Sequence, residues 1–493
     1  MTGKVKSLFK KLNSLSPAAK ASVWFVISNV ALKGVSFITT PIFTRLMEVA
    51  DYGATSVFVS WEGLISIFAT LSLAGGVYNV AQTKYEDDIN AYTSTMISLT
   101  FVASLFVYTG CIIFNLLQPS VFDLDTPYLL FMWIQTFTNA VISFWLMRRR
   151  FVYDYKSVIA YTFANALLSP IVAIVAIKMF PQQAAYAKIV GAGVAGIVFG
   201  LVLCIITYVK GKKVISGKYW GYALKFNLPL IPHYLSSTLL HSSDKLMINS
   251  MIGAAQAGIY GISHSIVALI SLITQAINHA LIPYTLQSIK AKNYGGLKKV
   301  ITGCTALTAV VCLGVTLFAR EGILIFATEE YLDAVWFIPT LTMATLFSFI
   351  YGIIGNIMFY YEKTWQMSVI TICCAVVNIA TNYFGIKYFG DIAAGYTTLL
   401  CAAIQMISYY FVVKRYEKHL KEIVDLKWFF AILTVYFGFT VYSMIFMYHF
   451  WARAGLLAVV LILVVIFHKK IINMFKSMKK KDNVEDKLSE ESK

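Results

Sequence analysis

The stretch "IVGAGVAGIVFGLVLCIITYV", residues 189–209, runs for 21 residues without a charge. At about 1.5 Å of rise per residue, a helix of that length crosses a hydrocarbon core of about 30 Å. Comparable apolar runs recur from end to end, and fourteen spans are read: 22–44, 52–76, 92–117, 127–147, 157–177, 189–209, 226–252, 256–284, 300–319, 334–358, 365–386, 392–413, 428–449 and 454–468. Over 493 residues, 58% hydrophobic and 13% charged with mean hydropathy +0.70, the composition excludes a soluble domain. The alternating ten-residue pattern of a membrane β-barrel is absent. An all-α polytopic membrane protein of about fourteen transmembrane helices is therefore expected.

The formal charge of +17 reports topology rather than a nucleic-acid partner. Of the 41 Lys and Arg, 33 fall on the side of the N-terminus, 6 on the other and 2 within spans. Basic residues collect in cytoplasmic loops, so both termini are expected inside. No signal peptide is expected before the first span; residues 4–15, "KVKSLFKKLNSL", read as an interfacial amphipathic helix, and Ser16-Pro17 as the start of the span that follows. The seven cysteines all fall within spans, without metal-ligand spacing, and read as packing residues. No metal site is expected.

The basic connection "KGKKVISGKYWGYALK", 210–225, divides the chain into two halves that both begin inside, as a parallel repeat does. The expected organisation is a cytoplasmic segment 1–20, an N-lobe 21–215, a C-lobe 216–415, two further spans within 416–468 and a basic tail 469–493. The lobes are two pseudo-symmetric six-helix bundles around a central cavity. A weak echo between "RLMEVADYG" (45–53) and "KLMINSMIGAAQAGIYG" (245–261) fits such a duplication.

Polar residues inside spans are costly, so their placement is informative. At 100° per residue, Asn29, Lys33, Ser36, Thr40 and Thr44 share one face of the first span, with Arg45 at its outer end. Thr55, Glu62 and Ser66 do so on the second, His233, Ser237, His241 and Asp244 on the seventh beside Lys245, and Tyr260, His264, Ser271, Gln275 and Asn278 on the eighth. Lys33 and Glu62 both lie near the midplane, where a charge costs at least about 2.5–3.5 kcal/mol and so faces a partner or water. Two readings stay open: an ion pair locking the first two spans, or a cation for anionic cargo and a carboxylate for a coupling ion. Pro229 and Pro232 are expected to interrupt the seventh span. Arg148, Arg149 and Arg150 end the fourth span, as a headgroup anchor or as a funnel for anions at the cytoplasmic mouth.

Two stretches carry a resemblance. "PIFTRLMEVADYGATSVFVSW" (41–61) and "NLPLIPHYLSSTLLHSSDKLMINSMIGAAQAGIYGISHSI" (227–266) resemble the first-helix end and the seventh-helix pattern of bacterial polysaccharide repeat-unit flippases. These belong to the multidrug/oligosaccharidyl-lipid/polysaccharide (MOP) exporter superfamily. The resemblance implies two six-helix lobes, a cationic cavity, alternating access and an undecaprenyl-diphosphate-linked oligosaccharide as cargo. It also implies the bacterial inner membrane, with polysaccharide polymerases and glycosyltransferases as partners. Arg45, Asp244 and Lys245 match the motif, while Lys33 and the histidines are this chain's own.

The expected function is a flippase that carries a lipid-linked oligosaccharide across the phospholipid membrane. Lys33, Arg45, Lys245, Asn29, His241, His264 and Gln275 would bind diphosphate and sugar. Glu62 and Asp244 are the ion-coupling candidates, toward H+ or Na+. No nucleotide-binding loop, paired external carboxylates or nucleophilic triad is present, so neither an ATPase nor a hydrolase is expected, and no cofactor. The alternatives are a cation-coupled multidrug exporter of the same superfamily and, further off, a membrane polysaccharide polymerase or ligase, which would need a long basic external loop.

Overall fold

The computed structural model describes residues 17–466 apart from 120 and 123. The amphipathic segment 4–15, the tail 469–493 and the side chains of Asn29 and Lys33 lie outside the described residues.

Every described element is helical. The chain runs α1 (Pro17–Leu46), α2 (Val49–Ala69), α3 (Val77–Lys84), α4 (Ile89–Leu117), α5 (Thr126–Phe151), α6 (Tyr155–Met179), α7 (Ala184–Gly211), α8 (Gly217–Asn227) and α9 (Ile231–Met251). It continues through α10 (Ala254–Lys290), α11 (Tyr294–Leu317), α12 (Ala319–Phe326), α13 (Ile338–Tyr360), α14 (Thr364–Phe389), α15 (Ala393–Tyr416), α16 (Leu420–Ile423), α17 (Leu426–Ile445) and α18 (Phe450–Ile466). Among the described residues fourteen of these helices have 17 residues or more, each on one expected span. Ten are long and apolar enough to cross a membrane. The other four are α1, α2, α9 and the 17-residue α18, and the first three carry polar faces read in the sequence.

Two boundaries differ from the sequence reading. The second span was expected to reach 76, but α2 stops at Ala69 and residues 70–76 form a compact turn. The seventh was expected from 226; instead α8 occupies Gly217–Asn227, a 3-10 turn takes Leu228–Leu230, and α9 starts at Ile231. Pro229 lies in the 3-10 turn and Pro232 in the first turn of α9, where its missing N–H costs nothing.

The chain falls into two compact units, 1–258 and 259–493. In the first unit α7 packs on α6, α5 and α4, α1 packs on α6, and α9 packs on α2. That last pairing places the seventh long helix in the first unit, so the division follows Gly258. Small residues bring the helices close, as they do where lipid is no less apolar than the helix surface. A Cβ on Gly191 would stand 2.7 Å from the Ala173 Cα, and one on Gly200 2.7 Å from the Thr138 Cβ.

The second unit is built on α11, α13 and α15, whose buried faces include Leu297, Cys304, Cys312, Leu346, Ile353, Ile357 and Val413. Buried hydroxyls join α17 to this core: Tyr436 bonds Thr342 at 2.7 Å and Thr316 at 3.1 Å. Arg453 of α18, 2% exposed, makes a bidentate pair with Glu321 at 2.7 and 2.6 Å. A buried guanidinium needs such a partner, and the pair anchors α18 to α12. The seven cysteines are free and lie in α4, α7, α11, α14 and α15.

Candidate functional site

The first unit holds a cavity of about 540 Å³ between α2, α5, the turn after α2 and the start of α9. Its lining combines the Glu62 carboxylate, Ser66, Thr70, Ser72, Thr136, Asn139, Ser143 and Tyr234 with Val59, Ala140 and Phe144. Glu62 sits two turns before the end of α2. Its carboxylate accepts Asn139 Nδ2 at 3.3 Å and Gln135 Nε2 at 3.4 Å, both from α5.

The turn that floors the cavity is strained and pinned. Leu71 and Ser72 take φ of 50° and 49°, left-handed conformations that cost a residue with a Cβ about 1–2 kcal/mol each. Local bonds offset part of that: Thr70 Oγ1 donates to the Ser66 carbonyl at 2.7 Å and accepts Ser72 N–H at 3.2 Å. The rest comes from far along the chain. Asn227, 1% exposed at the end of α8, accepts the Val77 N–H at 3.0 Å and donates to the Leu71 carbonyl at 2.8 Å. Gly76 leaves room for this clamp, since a Cβ there would lie 2.7 Å from Asn227 Oδ1.

The structure sorts the sequence-predicted residues. Of those on the second span, Glu62 and Ser66 line the cavity and Thr55 is buried against α7. Arg45 is exposed and donates to the Pro41 carbonyl at 2.9 Å. On α9, His233 and His241 are exposed, Ser237 and Lys245 half-buried and Asp244 buried. In the second unit His264 is half-buried beside Tyr260, ring centroids 6.5 Å apart, and Gln275 is exposed. Asn278 of α10 accepts Asn356 Nδ2 at 2.9 Å.

The three arginines ending α5 have separate surroundings. Arg148 lies over the Phe151 ring. Arg149 pairs with Asp154 at 3.0 Å and stacks near Trp145. Ser157, through its hydroxyl and backbone N–H, and then Arg149 hold the Asp154 carboxyl below the usual carboxylate range. Arg150 lines a second cavity of about 130 Å³ with Ser28, Tyr161, Thr162 and Asn165.

Two contributions escaped the sequence reading. The polar face of α5 has Gln135, Asn139 and Ser143 four residues apart: Asn139 and Ser143 supply one wall of the cavity, and Gln135 bonds the Glu62 carboxylate. That spacing was visible, but each residue alone looked like the scattered polarity of any span. The second is Lys188, read as lying just outside the sixth span. It sits in the first turns of α7, donating to Thr55 Oγ1 at 3.0 Å, with its ammonium 4.2 Å from the Tyr52 ring and 4.8 Å from that of Phe43. Aromatic faces attract a cation held this way and bind α7 to α1 and α2. Among the described residues no group of three His, Cys, Asp or Glu could hold a metal ion.

The fold is that of a multi-pass helical membrane protein with a polar cavity inside one helical unit. Solved structures share it: the lipid II flippase MurJ in an inward closed conformation superposes with TM-score 0.62 at 13% identity, over 91% of this chain and 100% of that one. An inward-facing multidrug resistance MATE family transporter of the MOP superfamily gives TM-score 0.55 at 13% identity, over 80% and 99%. The sequence family described as "Polysaccharide biosynthesis protein" matches residues 18–289, and MatE matches 229–384. The chain belongs to the polysaccharide biosynthesis protein family. A Haemophilus influenzae relative, Lsg locus putative protein 1, is 21% identical over 75% of this chain and 92% of its own length.

Proposed function

We propose that the chain is a flippase for undecaprenyl-diphosphate-linked oligosaccharide repeat units, moving them from the cytoplasmic to the outer leaflet of the bacterial inner membrane. One observation carries this reading: a cavity of saccharide size among membrane-spanning helices, about 540 Å³, lined by hydroxyls, amides and one carboxylate. Sugar hydroxyls lose water on entering hydrocarbon, and such a lining replaces those hydrogen bonds. The diphosphate needs countercharge, for which Lys33, Arg45 and Lys245 are the candidates, with Asn29, His241, His264 and Gln275 as further polar contacts. Energy would come from an H+ or Na+ gradient through Glu62 or Asp244, with access alternating between the two sides. Family membership supports the cargo class, and MurJ, by its name a lipid II flippase, shares the fold. On this reading the chain works beside glycosyltransferases and a polymerase and catalyses no reaction itself.

A second reading, a multidrug exporter, is favoured by the MatE match and by Glu62 being an acidic group on the cavity wall. Proteoliposomes separate the two. Flippase activity predicts that a fluorescent lipid-diphosphate oligosaccharide crosses faster with the protein than without it, while an organic cation does not. Export of the cation alone reverses the assignment.

A further inference from the structure

The cavity wall carries a chemical bias. Among its described lining residues Glu62 is the one charged side chain; the polar remainder is hydroxyl and amide, and Phe144 and Tyr234 add ring surface. Among the described residues no Lys or Arg lines it, although the chain as a whole carries a net charge of +17. The described lining is thus matched to the sugar rather than to phosphate. Rings pack on sugar C–H faces, while the hydroxyl oxygens of Ser66, Thr70 and Ser143, whose own protons go to main-chain carbonyls, and the amide oxygen of Asn139 are acceptors for sugar hydroxyls. A carboxylate only accepts when ionised: it bonds a sugar hydroxyl or an ammonium and repels a second carboxylate.

We infer that Glu62 is a specificity-determining residue that excludes acidic sugars from this cavity, so that the saccharide it takes is neutral or bears an amino group. This rests on the reading of the chain as a lipid-linked saccharide carrier and names the class of saccharide. The helical frame holds the carboxylate in place through Asn139 and Gln135, at 3.3 and 3.4 Å, so it cannot swing aside without breaking both bonds. Two like charges within about 6 Å in a partly buried site repel enough to weaken binding roughly ten- to hundred-fold. An ammonium in the same position gains from the same field.

The test is equilibrium binding at pH 8 to the detergent-solubilised full chain, without any ion gradient. Three probes share one short polyprenyl diphosphate and differ in the sugar: a neutral N-acetylhexosamine, the matching free hexosamine and the matching hexuronate. Wild type is expected to bind the hexuronate at least ten-fold more weakly than the other two, and Glu62→Gln to shrink that gap to less than three-fold. Equal or tighter binding of the hexuronate by wild type overturns the inference, a result that needs no variant to fold. So does a gap that persists unchanged in Glu62→Gln. If none of the three probes binds, the carrier reading falls and takes this inference with it, whereas loss of discrimination alone leaves the carrier reading intact.

Discussion

Asn139 donates its side-chain amide to the Glu62 carboxylate across 3.3 Å, tying α5 to α2 at the cavity wall. A hydrogen bond to a charged acceptor contributes about 1.5–3 kcal/mol. Asn139→Leu is expected to lower transport of a lipid-diphosphate oligosaccharide by ten-fold or more in proteoliposomes. Undiminished flux in a correctly folded variant would show that this wall does not face the cargo.

Asn227 is the clamp on the turn after α2, with both its groups used on Leu71 and Val77. Asn227→Ala leaves a buried N–H and a carbonyl unpaired, at a cost of about 1–3 kcal/mol each. Hydrogen exchange is expected to accelerate across residues 70–77 while α13, in the second unit, keeps its protection. Unchanged exchange over the turn would mean that its left-handed residues hold without the clamp.

Gly53 of α2 meets the start of α10 so closely that a Cβ would fall on the Ala254 carbonyl, and a Cβ on Gly258 would stand 2.7 Å from the Val49 carbonyl. Backbone atoms cannot yield as side-chain ends do, and overpacking costs about 1–3 kcal/mol or more. Gly53→Val is expected to lower the thermal midpoint in detergent by several degrees. Gly110→Ala, where a Cβ meets nothing within 4 Å, serves as the control and should leave it within a degree.

Asp154 gives a pH dependence with a definite sign. Its carboxyl is depressed by Ser157 and Arg149, so the stabilisation is present above the unfolded carboxylate value of about 3.9 and is lost as pH falls through the lower folded value. The thermal midpoints of wild type and Asp154→Asn are expected to differ at pH 7 and to converge on acidification below about pH 4. A difference that stays constant down to pH 3 would remove Asp154 as the titrating group.

Much of the architecture was legible before any coordinates. Each of the fourteen expected spans coincides with a long helix, because twenty apolar residues in sequence leave a chain in lipid with one way to satisfy its own backbone. Part of the polar face of α2 was also legible, since 3.6-residue periodicity puts Glu62 and Ser66, which line the cavity, on one side without knowledge of the neighbour. The boundary at Ala69 was missed because "LSLAGG", 71–76, is as apolar as the helix it follows. Hydropathy does not register a turn held by Asn227 from 150 residues away.

The sequence by itself determined that this protein is a polytopic helical membrane protein, how many long helices its described residues form and which family's motifs it bears, for these depend on composition and local periodicity. Tertiary structure alone decided that Glu62 meets Asn139 and Gln135 of α5, that Lys188 rests between Tyr52 and Phe43, and that Asn227 closes the floor of the cavity. The physical reason is that lipid is as apolar as the helices it surrounds, so hydrophobicity drives insertion but does not choose partners. Those partners are chosen by close packing at small residues and by polar groups that find each other across the bundle.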